Sequence, residues 1–438
     1  MTQGPATGAA DADGPQSTVE PSTVEAYQSV ILSAITPLAP ARLELAAAEG
    51  CVLAEDVTAA VALPSFDNSS MDGYAVRASD VAGAAQQAPV MLRVAAEIAA
   101  GDVGAYRLAP GTAIRIMTGA RLPAGADAVV PVEWTDGGVA QVAVYQPAKP
   151  GNAVRYAGGD AAEGETLLSA GTRLRPMQIA VAASAGRKAV SVRPRPRVAV
   201  LSTGDELMEP GTPLVPGRIW DSNSYMIAAC VREAGAVAYR HSVVPDDPAG
   251  VLPALEEQLS RADLLITTGG VSMGGEHDVV KAALRELGTV TFRKVAMQPG
   301  MPQGFGVIGG GGAGGTRGEG GTRGEGGTGP VPIFTLPGNP VSAYVSFQVF
   351  VRPAIAALQG ADDLSLPAVR ATLTGPARSP AGRRSYLRGV LDGSEVTPLS
   401  GQQSHQVASL GRANALIVIP ERETQLPAGH TVDVLILP

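Results

Sequence analysis

Residues 197–206 read RVAVLSTGDE, an apolar stretch of strand length that ends in a polar turn. Three more strand patterns follow, VAYRHSVVPDD, DLLITTGGVSMGG and VPIFTLPG, with helical patterns such as SNSYMIAACVREAGA between them. Strands that alternate with helices of this length are typical of a parallel, doubly wound α/β sheet. We therefore predict an α/β domain over residues 195–361.

On both sides of this domain the sequence changes to short strand patterns divided by Gly, Pro and Asp-Gly pairs. Residues 65–150 contain VMLRVAAEI, TAIRIMTG and AVVPVEW, and residues 362–438 contain AVRATLTGP, RSYLRGVLDG and NALIVIPE. These patterns predict a β-rich module before the α/β domain and a small C-terminal β-barrel after it.

The remaining segments carry simpler signals. The spacing of apolar residues predicts a helix over residues 23–35 and a second, short helix over 43–48. Small residues, Pro and acids predict a disordered tail over residues 1–21. Tandem GGTRGE units within residues 309–330 predict a flexible Gly-rich loop before VPIFTLPG. A phosphate loop is the alternative, but no Lys-Ser/Thr helix follows it.

Composition limits the class of protein. A chain of 438 residues is long enough for about two to four domains. Its net charge of −8 argues against a nucleic-acid partner, but backbone amides and a few arginines can still bind a small anion. The first residues do not read as a secretory signal, and no apolar run approaches the roughly 18 residues of a membrane span. We expect a cytoplasmic protein without a membrane partner, whose cysteines, Cys51 and Cys230, are buried small hydrophobes.

Polar turns follow the strands of the predicted sheet, at the edge where open α/β sheets bind ligands. In STGDE, the backbone amides of Thr203 and Gly204 suit an anion, and the carboxylates of Asp205 and Glu206 suit Mg²⁺. The alternative is that this segment only caps a helix.

Two more turns at the same edge carry related residues. In TTGGVSMGG, Gly269 and Gly270 permit close approach to a phosphate, and Ser272 can donate a hydrogen bond. Asp278 then opens a helix, where it caps the helix or holds a metal. In PDDP, Asp246 or Asp247 is a helix N-cap, or this turn supplies a third acidic group at the edge. Three acidic turns together would form a cation site beside an anion site.

The segment TLPGNPVSAY, residues 335–344, makes a stiff turn in which two prolines flank Gly338 and Asn339. The helix that follows and Ser342 favour an oxyanion. Two other polar segments, PSFDNSSMDGYAV and RIMTGARLPAGADAVVP, stand in the β-rich module. An Asx-rich loop and a plain turn are the alternative interpretations of these two.

Together these segments resemble the molybdopterin molybdenumtransferase family, whose relatives include the C-terminal domain of gephyrin. The matching stretches appear in the family's order over about residues 22–438, and they are FDNSSMDGYAV, IRIMTGARLPAGADAVV, STGDEL, PDDP, TTGGVSMG and LPGNPVS. The resemblance implies that molybdenum from molybdate is inserted into adenylylated molybdopterin, with Mg²⁺ present and AMP released. It also implies that 22–64 and 151–194 form an elongated N-terminal domain, in a homodimer with a composite site that passes its product to other cofactor-pathway proteins.

The resemblance also implies roles for individual residues. The implied catalytic residues are Asp67, Thr118, Glu206, Asp278, Pro337 and Pro340. The implied metal ligands are Glu206, Asp246 and Asp278. The implied substrate-binding residues are Thr203, Gly204, Asp205, Gly269, Gly270, Ser272, Gly338, Asn339, Ser342, Arg155, Asp160, Arg383, Arg388 and Ser404.

The sequence departs from the family pattern in three places. Gln298 and Met301 replace two lysines that are expected to hold molybdate, and neither side chain supplies a point charge. Arg293, Lys294 or the barrel arginines are the cations available to compensate. Gly159 stands where the family has an acid, and the segment before Asp278 is one residue longer than usual.

Two rival functions stay open at this point. The adenylyltransferase of the same pathway shares the α/β domain but lacks FDNSSMDGYAV, MTGA and the barrel. A non-catalytic cofactor-binding or scaffold protein on the same fold is the second, because the two lysines are missing.

Overall fold

The computed structural model describes residues 21–438 except 242, 245–247, 270–283, 285–289 and 309–329. Its α-helices are α1 Val24–Ala34, α2 Pro176–Ser184, α3 Asn223–Glu233, α4 Pro248–Leu259, α5 Pro340–Ser346 and α6 Arg352–Leu358. A π-helical turn, Phe347–Val351, joins α5 to α6, and the 3₁₀ helices are Leu45–Ala47, Ala78–Val81, Val132–Trp134 and Val407–Arg412.

The strands in chain order are β1 Ala41–Glu44, β2 Val52–Leu53, β3 Val57–Thr58, β4 Asn68–Ser69, β5 Gly73–Val76, β6 Val90–Ile98, β7 Thr112–Ile116, β8 Ala128–Pro131, β9 Gln141–Val144, β10 Val154–Arg155, β11 Thr166–Leu168, β12 Ala189–Arg193, β13 Arg197–Ser202, β14 Leu207–Met208, β15 Ile219–Trp220, β16 Val237–Arg240, β17 Leu264–Thr268, β18 Val290–Lys294, β19 Met297–Gln298, β20 Pro302–Ile308, β21 Val331–Leu336, β22 Ala368–Leu373, β23 Ala377–Arg378, β24 Arg384–Asp392, β25 Glu395–Pro398, β26 Ala415–Ile419, β27 Gln425–Leu426 and β28 Thr431–Ile436.

The chain forms two compact units. The smaller unit is Pro40–Val192, and the larger unit joins Arg193–Pro438 to the segment that ends at Ala39. This division is coarser than the predicted domains, so the boundaries between those domains stay predictions.

The smaller unit is built around a five-stranded sheet in the order β8-β5-β7-β6-β9. Strand β5, which pairs with β8 and β7, is buried on both faces, with Tyr74 and Val76 in one hydrophobic core and Ala75 in another. Because β5 is fixed from both sides, it holds in place the polar loop of residues 67–72 that precedes it.

The larger unit contains a six-stranded sheet in the order β16-β13-β17-β21-β20-β18. The first four strands are parallel, as predicted for a doubly wound sheet, whereas β20 and β18 are antiparallel to their neighbours. The antiparallel pair arises because β20 and β21 form a hairpin, with Ile308 opposite Val331. The Gly-rich insertion connects these two strands and lies outside the described residues.

The C-terminal segment confirms the predicted β-barrel. Strands β24, β25, β22, β28 and β26 pair in that order, and a further pairing of β24 with β26 closes the ring. The fold therefore combines a mixed α/β domain, a β-rich module and a closed C-terminal barrel, as the sequence predicts.

The two helices predicted in the N-terminal segment have different outcomes. The first is confirmed as α1, where Thr23 Oγ1 accepts a hydrogen bond from the Ala26 amide as an N-cap. The second, over residues 43–48, is wrong, because β1 pairs with β12 and only a 3₁₀ turn follows. A helix of so few residues is marginal by itself, and strand pairing at Leu43 and Val190 overrides its propensity.

One helical stretch, Pro340–Leu358, is long and apolar enough to cross a membrane by composition alone. Buried residues make up 83% of that stretch, which is the pattern of a core helix in the larger unit. Cys51 and Cys230 are both buried, as expected.

Candidate functional site

The strand order of the larger unit defines a crevice at the carboxyl ends of β13 and β17. From β13 the chain passes through α3 to β16 on one side, and then through α4 to β17 on the other side of β13. In open α/β sheets, ligands bind outside the carboxyl ends of strands at such a reversal. The STGDE turn follows β13 and Gly269 follows β17, so both predicted turns lie at this crevice.

Three glycine-bearing turns converge there. Gly204 and Gly269 have φ angles of +146° and +94°, which L side chains rarely adopt. A Cβ on Gly269 would lie 2.8 Å from the Thr203 carbonyl oxygen, and one on Gly338 would lie 3.7 Å from the Gly269 Cα. We call Thr203–Gly204, Gly269 and Gly338 the glycine turns. The Thr203 amide already donates to the Thr268 carbonyl at 3.2 Å and the Gly269 amide to the Leu336 carbonyl at 3.1 Å, so the amides of Gly204 and Gly338 are the candidate donors to an anion.

A buried polar network that sequence reasoning missed supports these turns. Asp221 is 1% exposed and accepts hydrogen bonds from Ser202 Oγ at 3.1 Å and from Ser224 Oγ at 2.5 Å. Asn223 Nδ2 donates to the Gly338 carbonyl at 2.7 Å, while its Oδ1 is buried without a partner among the described residues. The sequence signal was DSNS at residues 221–224, immediately before a helical pattern.

Only part of the predicted cation site falls within the described residues. Glu206 is exposed and its carboxylate folds back over the preceding turn, where a Cβ on Gly204 would lie 2.5 Å from Glu206 Oε2. A carboxylate in this position suits Mg²⁺. The predicted positions Asp246, Gly270, Ser272 and Asp278 lie outside the described residues. Across the part of the chain that is described, no three His, Cys, Asp or Glu side chains converge to hold a metal.

The turn between the two prolines, Pro337 and Pro340, contacts the C-terminal barrel within the larger unit. Asn339 Nδ2 donates to Ser404 Oγ at 3.1 Å, and the Val341 amide donates to the Ser404 carbonyl at 3.1 Å. The structure therefore brings together Asn339 and Ser404, which lie far apart in the sequence. The Val341 amide is consumed by this contact, so the oxyanion expected at this helix start has one donor fewer.

Arg388 is the most unusual charge in this region. Its side chain is fully buried, and Nη2 donates to the carbonyls of Gly401 and Gln403. Its Nε and Nη1 are buried without partners, and no acidic side chain pairs with it among the described residues. Burial lowers the pKa of Arg388, although an arginine stays protonated near neutral pH. Arg388 is therefore a fixed cation with two unused donors, next to the loop that carries Ser404.

The positions of the two missing lysines lie on the larger unit as well. Gln298 is exposed at the end of β19, and Arg383 Nη1 approaches its Oε1 at 3.5 Å. Met301 is half-buried before β20. Arg293 and Lys294 lie exposed on β18.

Four predicted residues of the smaller unit lie on adjoining segments. Asp67 Oδ1 accepts a hydrogen bond from the Ala157 amide at 2.8 Å. Arg155 pairs with Asn68 in the β10–β4 ladder, and the Asp160 amide donates to the Leu63 carbonyl at 2.9 Å. Thr118 is adjacent, because the Gly119 amide donates to the Ser69 carbonyl at 2.8 Å. Three stretches that are distant in sequence thus lie side by side in one module, and they carry Asp67, Thr118, Arg155 and Asp160.

Asp67 also lines a cleft of about 510 Å³ in this unit. Phe66, Asp102, Tyr106 and Arg121 line it too. Asp102 is held by the Gly104 amide at 2.8 Å and the Tyr106 hydroxyl at 2.8 Å, which keep its pKa below the usual range. The cleft therefore offers the carboxylates of Asp67 and Asp102 beside two aromatic rings.

Asp72 is a second residue that sequence reasoning missed. Its Oδ1 accepts hydrogen bonds from the Thr118 amide and the Thr118 hydroxyl, both at 2.7 Å, and these bonds lower the pKa of Asp72. Thr118→Val removes the hydroxyl donor and keeps the amide. We expect the pKa of Asp72 to rise towards its ordinary value without reaching it.

This prediction is checked by following the Asp72 carboxyl carbon in an NMR titration. Because the folded pKa is depressed, the stability from this contact is present above the unfolded pKa and is lost as pH falls through the folded pKa. Thr118→Ser keeps both donors and is the matched control. An unchanged Asp72 pKa in Thr118→Val would assign the whole effect to the amide.

Three family models match successive parts of the chain. The MoeA N-terminal region (domain I and II) matches residues 22–186, a probable molybdopterin binding domain matches 199–357, and the MoeA C-terminal region (domain IV) matches 370–437. The β-rich module, the α/β sheet with its glycine turns and the closed barrel thus define a multidomain protein of the molybdopterin-binding class.

Individual relatives identify the family. The chain is 45% identical over 420 residues to "Molybdopterin molybdenumtransferase 2" of Mycobacterium tuberculosis H37Rv, with 94% of this chain and 98% of that protein covered. It is 35% identical to the Bacillus subtilis molybdopterin molybdenumtransferase, with 88% of this chain and 87% of that protein covered. A crystal structure of the molybdopterin biosynthesis moeA protein from Pyrococcus horikoshii OT3 is similar, with a TM-score of 0.75 and 28% sequence identity. The match covers 95% of this chain and 100% of that one. The chain belongs to the molybdopterin molybdenumtransferase family.

Proposed function

We propose that this enzyme inserts molybdenum from molybdate into adenylylated molybdopterin, and that AMP is released as the molybdenum cofactor forms. The two dithiolene thiols pass their protons to one molybdate oxygen, which leaves as water while both sulfurs bind molybdenum. A water molecule cleaves the pyrophosphate into AMP and the terminal phosphate of the pterin. The observation that carries the proposal is Arg388, a buried cation with two unpartnered donors and no acidic partner in the described chain. An oxyanion is the ligand that satisfies such a guanidinium.

The residues around Arg388 suit molybdate. Ser404 and Asn339 present a hydroxyl and an amide beside the loop that Arg388 holds, and Ser342 is buried one turn further into α5. These groups would orient molybdate, and most of their contribution is positioning and charge screening. Arg383, at the rim beside Gln298, is the nearest replacement for the missing lysines.

The substrate phosphates would lie at the glycine turns, where the backbone amides of Gly204 and Gly338 are the candidate donors. Mg²⁺, held by Glu206 with Asp246 and Asp278, would neutralise the pyrophosphate. Asn223 and Asp221 hold the glycine turns in place through their hydrogen bonds with the Gly338 carbonyl and the Ser202 hydroxyl.

The module that bears Asp67, Thr118, Arg155 and Asp160 would close the site from a second copy of the chain. The working enzyme in this proposal is a cytoplasmic homodimer with a composite site, and it transfers its product to other proteins of the pathway.

The proposal predicts that AMP release from adenylylated molybdopterin depends on molybdate, and that Asp278→Asn stops it. A carboxylate contributes charge that an amide does not, so the loss should be about a hundredfold or more, with the fold intact. Single-turnover AMP release with and without molybdate measures this. Asp263→Asn is not a suitable control, because Asp263 is paired with Arg197; exposed Asp392→Asn is suitable.

The same assay separates the rivals. ATP-dependent adenylylation without molybdate-dependent AMP release would support the adenylyltransferase. The absence of both activities, with normal ligand binding, would support the scaffold. Unchanged AMP release in Asp278→Asn would remove Asp278 from the metal site.

A further inference from the structure

Trp220 lies on the segment that leaves the carboxyl end of β13 and returns at α3, residues 204–222, which we call the β13 excursion. Strands β14 and β15 pair in parallel within it, with Met208 opposite Trp220. The Ile219 amide donates to the Glu206 carbonyl at 2.8 Å. The Trp220 backbone therefore pairs with a residue two positions after Glu206.

The indole of Trp220 is both exposed and fixed. It is 47% exposed, and its Nε1 donates to the Thr212 carbonyl at 2.9 Å. It lies outside the hydrophobic clusters of the described chain, whereas Trp134 packs against a core of the smaller unit. An exposed ring held in one direction is preorganised to stack on a planar ligand, because little rotamer freedom is lost on binding.

The excursion is anchored on its other side. Tyr225 in α3 donates from its hydroxyl to Glu209 Oε2 at 2.9 Å, and Arg240 Nη1 donates to Glu209 Oε1 at 2.8 Å. The Arg240 guanidinium also lies 4.2 Å from the centre of the Tyr225 ring. These contacts tie the excursion to α3 and β16, so Trp220 stands on a rigid support.

We propose that Trp220 stacks on the adenine base of the adenylylated substrate and sets specificity for its nucleotide part. This inference rests on the proposed function, which places the phosphates at the glycine turns beside Glu206. A neutral planar base suits the indole, and the ladder pairs the Trp220 backbone with Met208, two residues after Glu206. Its role is nucleotide recognition and is separate from the handling of molybdate at Arg388.

The chain's two tryptophans make a direct test available. In full-length Trp134→Phe, Trp220 is the sole indole and its emission reports on its own surroundings. AMP should quench that emission saturably, whereas ribose 5-phosphate, which lacks the base, should not. Trp220→Ala should weaken AMP binding at least about tenfold by calorimetry, and Trp220→Tyr should restore most of it. Val215→Ala, which alters an exposed apolar residue of the same excursion, should have no effect.

Three results would overturn the inference. AMP binding that leaves both the emission and the Trp220→Ala affinity unchanged would exclude stacking, and molybdate-dependent AMP release would still decide the proposed function separately. A failure of the protein to bind AMP at all would exclude it too. An emission shift that follows protein concentration instead of AMP would assign this surface to a second copy of the chain.

Discussion

Replacing Arg388 by methionine should weaken molybdate binding by roughly 30-fold to 1,000-fold and leave the protein folded. The affinity falls because a buried guanidinium that bonds an anion contributes about 2–4 kcal/mol. Stability should change by less than about 2 kcal/mol, because removal of an unpaired buried charge offsets the lost bonds to Gly401 and Gln403. Calorimetric titration with molybdate and thermal unfolding measure the two quantities.

Arg370→Met is the matched control, since Arg370 lies exposed on β22 of the same barrel and forms a surface ion pair with Asp433. We expect its molybdate affinity to equal that of the wild type. The opposite result is an Arg388→Met protein whose barrel is destabilised, but whose folded fraction binds molybdate as tightly as the wild type. Arg388 would then only hold the 401–403 loop, and the proposed anion site would be wrong.

Gly269→Ala should destabilise the larger unit by about 2–4 kcal/mol and weaken AMP binding. Two costs add here. An L residue is strained at a φ of +94°, and its Cβ would lie 2.8 Å from the Thr203 carbonyl oxygen. The glycine turns must separate to admit the methyl group, so the amides of Gly204 and Gly338 can no longer face one phosphate together.

Gly429→Ala separates these two costs. Gly429, in the C-terminal barrel, has a similar φ of +85° but open space where a Cβ would stand, so only backbone strain of about 1–2 kcal/mol is expected. Denaturant unfolding and AMP titration of both variants give the comparison. Equal effects in the two variants would mean that the close approach at Gly269 has no consequence of its own.

The sequence predicts the larger unit well because apolar strands alternate with helical patterns at a regular spacing. It places the STGDE turn and Gly269 at one sheet edge, because the carboxyl ends of parallel strands meet there. The antiparallel β20 was missed, since periodicity gives strands but not their direction. The supposed helix at residues 43–48 failed because pairing with β12 is a long-range contact.

The sequence predicts only part of the candidate site. Resemblance supplied Arg388 and Ser404, but their connection to Asn339 depends on packing between the barrel and α5. Asp221 and Asn223 were overlooked because DSNS reads as an ordinary helix start, and their buried bonds to the turns appear only in three dimensions. Asp72 was overlooked because its hydrogen bonds to Thr118 join residues that are far apart in the sequence.

The most direct test is the location of molybdate itself. Crystals of the protein grown with molybdate, measured at the molybdenum absorption edge, give anomalous peaks at each bound metal atom. The account predicts the strongest peak within about 4–5 Å of the Arg388 guanidinium, next to Ser404. A strongest peak elsewhere, with the surroundings of Arg388 lacking molybdenum at saturating molybdate, would contradict it.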